Sequence, residues 1–486
     1  MRCLAVLVCL NSLLPAAASA AESDSTRQAQ ETLRKAVQFF HSTIATEGGY
    51  LWRYSADLSK REGEGKATAT QVWVQAPGTP SVGRALLAAY RASEDRFYLQ
   101  AAIDAGMCLV RGQLQSGGWN YSIEFDPARR KNFAYRVDAA STEKRPAKPP
   151  FNTTTLDDDN TQSALRFLMA LDEVLEFKNA TIHETVQYGL QAVLAAQYPN
   201  GGWPQRFTAP PDPALFPAKQ ASYPDEWSRT WPKEDYKAYY TLNDNSVADT
   251  IETMLLAAKT YEDSRYRAAA EKGGDFILRA QMPEPQPAWA QQYNAQMQPA
   301  WARKFEPPAV TGGESQGAMK TLMRLYVETG NKKYLEPIPA ALAYLERSRL
   351  SDGRLARFYE LKTNTPLYFT KDYRLTYDDS DMPTHYSFKV ASTLESLKRT
   401  YERLAQAKEP STQAEKPAKR QRKKGVVKGL ESQVAKVVTA LDAQGRWVDK
   451  GGMRYHGDAD TTQQVIDCQT FIRNVMLLSQ YLEASR

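Results

Sequence analysis

Cysteine and histidine are scarce in this chain, with four of each. Cys3 and Cys9 stand near the start, so the body keeps only Cys108 and Cys468, and no metal-binding cysteine spacing is present. His41, His183, His385 and His456 are isolated, and none forms a zinc-like pair. No Ser-His-Asp signature is visible, and no Rossmann or P-loop glycine pattern occurs. Strand-like alternation is sparse, and nothing in the body reads as a membrane span. Zinc hydrolysis, nucleotide chemistry and transport across a bilayer are thereby set aside. Charged residues make up 24% of the chain and apolar ones 42%, which suits a soluble globular protein with a large core.

The first residues follow another rule. Arg2 precedes a mostly apolar run from Leu4 to Leu14, and Ala18 and Ala20 supply the small-residue cleavage pattern. Residues 1–20 read as a signal peptide, which predicts a secreted or periplasmic protein. The net charge of +6 would fit a nucleic-acid partner, but its distribution argues against one. Between Lys408 and Lys428 eight Lys or Arg face two Glu, so this stretch carries the whole surplus. Residues 406–428 are expected to form a basic, disordered insertion or linker. Neither a nucleic-acid nor a membrane partner is expected.

The body repeats. Gly48-Gly49-Tyr50, Gly117-Gly118-Trp119 and Gly201-Gly202-Trp203 each precede a polar loop and an apolar helix. Looser copies start at Trp289, Gly353 and Gly445. Roughly six units of about 70 to 90 residues result, within the logic of helical repeats. Thr155-Leu156-Asp157-Asp158-Asp159-Asn160 parallels Thr241-Leu242-Asn243-Asp244-Asn245, and Asn160 and Asn245 are expected at equivalent ends of neighbouring hairpins. Ile251, Leu255 and Ala258 share one helical face. The predicted fold is all-α: an α/α toroid of about six helical hairpins whose long loops form a cleft at one end. Residues 21–405 would make the body of the toroid and 429–486 the unit completing it. A closed ring would bring Cys108 and Cys468 near each other, as a disulfide or as two buried thiols.

What remains for chemistry is Arg, Asp, Asn, Trp and Tyr at loop–helix junctions, an inventory suited to acidic carbohydrate, because Arg grips carboxylates in a bidentate fork. Three segments carry more. They are Gly201 to Phe207 with Tyr240 to Asn245; Trp289 to Asn294 with Pro299 to Glu306 and Gly312 to Ser315; and Leu355 to Leu361 with Asn364 and Pro366. In this order they resemble the pectate lyases of polysaccharide lyase family 10, over roughly residues 155 to 390. The resemblance implies β-elimination in polygalacturonate, assisted by Ca²⁺ and an arginine base, by an enzyme expected to be a monomer. Carried over by position, Arg357 is the first choice for the base and Arg303 the second, or else a carboxylate-binding group. Asp244 and Asn294 fall at metal-ligand positions, although Asn294 stands where the family has Asp. Trp203, Arg303, Glu314 and Arg446 are candidate substrate contacts.

Each residue also has a plainer reading. Asp158, Asp244 and Glu314 could cap helices. Arg357 could sit in a structural ion pair, Arg446 in a solvated turn, and the Gly-Gly-Trp turns in the core. The functional alternatives are a non-catalytic acidic-glycan-binding protein and another toroidal lyase or hydrolase acting on uronates.

Overall fold

The computed structural model describes residues 24–140, 148–407 and 419–486. Among these described residues, twelve long helices order the chain. They are α1 (Asp24–Phe39), α2 (Thr79–Ser93), α3 (Arg96–Gly112), α4 (Asn160–Val174), α5 (Ala180–Ala195) and α6 (Ser246–Tyr261), then α7 (Ser264–Ala280), α8 (Gly312–Thr329), α9 (Ile338–Arg347), α10 (Leu394–Gln406), α11 (Lys419–Ala440) and α12 (Cys468–Ser485). Odd-numbered helices lie outside and even-numbered ones inside. The inner helices pack in the order α12, α2, α4, α6, α8, α10, and α1 packs on both α11 and α12, so the last hairpin meets the first. This is an α/α toroid.

The sequence explains the layering. Outer α1 buries one stripe, Ala29, Leu33, Ala36 and Val37, at helical spacing. Inner α4 is enclosed over most of its surface, from Asn160 through Leu171, because it touches outer helices and two inner neighbours. Close approach needs a missing side chain at Gly83 of α2, where a Cβ would lie 2.3 Å from the Phe167 ring. Strands Arg53–Ser55 and Gln464–Asp467 pair antiparallel with Arg53 opposite Asp467, and the Arg53 guanidinium donates to that carboxylate at 2.6 Å. Both cysteines are buried free thiols.

The repeat has a common joint. Trp119, Trp203, Trp289 and Trp447 each donate an indole N–H to a carbonyl of the preceding outer helix, at Leu109, Val193, Ile277 and Val437, over 2.7–2.9 Å. A glutamine just past the outer helix then reaches onward. Gln113 donates to Gly117 and Thr185 carbonyls, and Gln197 to those of Gly201 and Ala269. The turn glycines Gly117 and Gly201 hold φ of +108° and +96°, a left-handed backbone that favours glycine.

Two expectations change here. The start of α11 at Lys419 makes residues 419–428 helical where a linker was expected, and residues 408–418 lie outside the described residues. Residues 1–20, read as a signal peptide, also lie outside them. The inner helices are preceded by short strands that the sequence did not announce. One of two four-stranded sheets orders Leu375–Thr376, Pro366–Phe369, Phe358–Glu360 and Ala309–Thr311 side by side.

Candidate active site

The loops that enter α4 and α6 build the centre of the cleft. Thr154–Thr155 pairs with Arg206–Phe207, and Tyr240–Thr241 pairs with Gln292–Tyr293. Each short strand leads into one tight turn, Asp157–Asp159 or Asn243–Asn245, and the two turns touch. Asp158 and Asp159 hold φ of 51° and 56°, and Asp244 and Asn245 hold 47° and 57°. Such left-handed pairs cost energy for most side chains, and Asn and Asp tolerate them best. The equivalence is therefore Asp158 with Asp244 and Asp159 with Asn245. Asn160, expected to match Asn245, instead matches Ser246, one position on.

These turns gather Asp157, Asp158 and Asp244, with carboxylate oxygens that all lie within 4.8 Å of one another. Asp157 is buried; Tyr121 donates to its Oδ2 at 2.7 Å, and its Oδ1 has no partner. Gln75 donates to Asp158 at 2.9 Å, and Asn243 to Asp244 at 2.5 Å. Burial pushes the Asp158 carboxyl up to about 7, helped by repulsion from Asp157 and Asp244. Burial and the Asp157 charge push Asp244 up to about 6, while Arg303 opposes the shift. Excess negative charge is thus held together by the fold and only partly neutralised by it.

Two arginines border this group. A cavity of about 200 Å³ is lined by Asp244, Asn245, Gly313, Glu314 and Arg357. Arg357 sits between two short strands, with its backbone N–H on the Phe388 carbonyl at 2.8 Å. Its Nε donates to the Ser387 carbonyl at 2.6 Å, and its Nη1 lies 3.5 Å from Glu314 and 3.3 Å from the Tyr386 hydroxyl. Glu314 is buried at the start of α8 with Oε2 unpartnered, and burial raises its carboxyl above the usual range. Arg303 is tied more firmly. Its Nη2 donates to Glu306 at 2.6 Å, and Glu306 also accepts from Tyr386 at 2.9 Å. Burial alone would lower the Arg303 pKa, but the Glu306 hydrogen bond and charge raise it, so this cation is locked. Both guanidinium groups lie over the Tyr386 ring, at 5.5 Å for Arg303 and 4.5 Å for Arg357.

Asp244, Arg303, Arg357 and Glu314 thus come together from separate segments. Three other expected residues do not. Trp203 is 1% exposed and serves the joint described above, so it cannot meet a substrate. Arg446 pairs with Asp442 at 2.7 Å and donates to the Ala56 carbonyl, in the turn after α11. Asn294 spends its Oδ1 on the amides of Gln296 and Gln298, which fixes its own turn. The sequence reading gave no role to Asp157, Tyr121, Gln75, Glu306 or Tyr386. Only Asp157, through its match to Asn243, and Glu306, at the end of the Pro299 to Glu306 segment, carried a signal.

The cleft of this α/α toroid thus holds a carboxylate cluster bordered by two arginines. Residues 127–357 match the family model described as pectic acid lyase, and over this segment the chain is similar to that family. No curated protein sequence matches the chain. Among solved structures it is similar to a family 10 polysaccharide lyase from Cellvibrio cellulosa, at 20% identity and a TM-score of 0.45, over 67% of this chain and 97% of that one. It is also similar to a mutant of the same lyase in complex with trigalacturonic acid, at 20% identity and 0.44, over 68% and 97%. A cellobiose 2-epimerase from Bacillus thermoamylovorans aligns at 13% identity and 0.45, over 94% and 98%.

Proposed function

We propose that this polysaccharide lyase is a secreted or periplasmic, monomeric enzyme that cleaves polygalacturonate by β-elimination. The observation carrying the reading is the convergence of Asp244, Glu314, Arg303 and Arg357 on one cleft, inside or at the edge of the matched segment. The acidic cluster fits a divalent cation such as Ca²⁺. Its donors are hard oxygens, and the buried Asp157 Oδ1 lacks any protein partner. Asp157, Asp158 and Asp244 would hold the ion, in place of the Asp244–Asn294 pair. When bound, it supplies Lewis-acid neutralisation of a uronate carboxylate, which makes the adjacent C5 proton acidic.

The chain's own groups divide the rest. Arg303, fixed as a cation by Glu306, binds a substrate carboxylate. Arg357 has only long contacts to Glu314 and Tyr386, so its Nη1 is the freer group to meet the C5 proton. Proton removal from C5 forms the C4–C5 double bond, the C4–O bond breaks, and its electron pair leaves on the glycosidic oxygen. Whether Arg357 accepts the proton fully or shares the developing charge, it must stand at hydrogen-bond distance. Arg357→Ala should abolish the unsaturated-uronate absorbance while leaving the melting temperature unchanged. Arg303→Ala should raise KM more than it lowers kcat. Undiminished product from Arg357→Ala would overturn the assignment.

A further inference from the structure

A second, larger cavity lies among the inner helices, and Asp157, Asp158 and Asp244 are not among its lining residues. Its volume is about 990 Å³, and it is walled by α2, α4, α6 and α12. Small-molecule sites typically span about 300–1,000 Å³, so this one has room for a disaccharide. Arg84, Arg91, Arg166 and Arg473 reach it, against only Glu173 and Glu483. Arg166 is held by Asp159, the Asp249 carbonyl and the Thr253 hydroxyl, so it is preoriented. Arg91 lies 3.8 Å from Glu173, with both side chains exposed. Arg473 donates only to neutral oxygens, on Asn474 at 3.5 Å and Thr470 at 3.3 Å. Arg84 has no hydrogen-bond or ion-pair partner among the described residues.

Packing does not account for this arrangement. Burial lowers the Arg84 pKa, and repulsion from Arg166 and Arg91 lowers it further against the opposing pull of Asp159. Helix dipoles do not explain it either, since their effect fades within the last turn. Arg84, Arg166 and Arg473 sit more than a turn before the ends of their helices at Ser93, Val174 and Ser485. The Nη donors of Arg166 are taken by Asp159, Asp249 and Thr253, so the free forks are those of Arg84 and Arg473, which face one space from two helices and suit a ligand bearing more than one carboxylate.

We infer that this larger cavity is a second binding site, for a short polycarboxylate of the uronate-oligosaccharide class, gripped by Arg84 and Arg473 beside the anchored Arg166. The site does not depend on the reaction proposed for the cleft. Calorimetry on the full chain with digalacturonate tests it, using a cleft-disabled variant, Asp244→Asn with Arg303→Gln. That variant should still bind one equivalent. Adding Arg84→Gln and Arg473→Gln should weaken the association at least tenfold, with a melting temperature at or above that of the cleft variant because repulsion is relieved. Arg84→Lys with Arg473→Lys keeps the charge but loses the fork; it should fall between the two, and it serves as the test if the glutamine variant does not fold. No binding by the cleft variant, or equal binding after the arginine changes, overturns the proposal. Cellobiose binding as tightly as digalacturonate overturns the need for charge. Sulfate binding as tightly shows a simple oxyanion site and overturns the polycarboxylate class.

Discussion

The turns before α4 and α6 share one backbone and differ in charge. Both place two residues in the left-handed region, yet one reads Asp157-Asp158-Asp159 and the other Asn243-Asp244-Asn245. The fold asks only for side chains that tolerate this geometry, and Asn and Asp serve equally. Charge is therefore free to vary with use. At the middle position both turns keep an acid, and both acids face the cluster. At the third position Asp159 pairs with Arg166, whereas Asn245 lines the cleft uncharged. One turn thus serves the cleft and the cavity among the inner helices, and the other serves the cleft alone.

Breaking the middle position should have the largest effect. Asp244→Asn keeps the turn geometry and removes the charge. The expected result is a loss of product formation on the order of 10²-fold, with an unchanged melting curve and weaker Ca²⁺ binding by calorimetry. If activity survives intact, the two turns differ in decoration only.

Asp159→Asn makes the first turn copy the second at its third position. Arg166 then loses its carboxylate in a half-buried setting, and denaturant unfolding should report a loss of ~1–3 kcal/mol. Activity at a temperature well below the transition should persist. A collapse of activity without destabilisation would move Asp159 into the cleft's machinery.

Trp203→Phe separates joint from cleft. The Val193 carbonyl loses its donor, a loss expected to cost about 0.5–1.5 kcal/mol, with KM for polygalacturonate unchanged. A raised KM would return this residue to the substrate. Asn294→Asp should do least. Its oxygen already accepts from two amides, so Ca²⁺ affinity should stay within twofold of the parent by calorimetry. A clear tightening would place residue 294 among the ion's ligands.

The fold was legible where its signals are local. The Gly-Gly-aromatic turns, the matched Thr-Leu runs and the apolar helices behind them lie close together in sequence, and they define the hairpins. Boundaries were less secure. Asn160 and Asn245 were equated on residue type, but the turn geometry shifts the match by one. On α6 the buried face runs through Val247, Thr250, Ile251 and Met254, while Leu255 and Ala258 are only half-buried. The motifs reach Asp244, Arg303, Glu314 and Arg357, which the fold gathers at the candidate site. Its supports come from afar: Tyr386 meets Glu306 across 80 positions and Tyr121 meets Asp157 across 36. Trp203 was misread because an aromatic beside a polar loop looks the same in sequence whether it turns outward or into the joint. Residues 419–428 were misread because a run of Lys and Arg does not show whether its backbone is helical.

The closure of the ring carries a consequence for biosynthesis. The seam joins Arg53–Ser55 to Gln464–Asp467, and Phe40 stacks on Phe471 with ring centroids 3.6 Å apart. These partners are far apart in the chain, with Arg53 and Asp467 separated by 414 positions, so one is made long before the other. Until the ribosome has released the last hairpin, the nascent chain is an open arc, and α1 and α2 expose apolar surface that α11 and α12 later cover. Such a chain has a long interval of vulnerability to aggregation and proteolysis, and losing the final twenty residues should harm it more than losing an equal number from a loop.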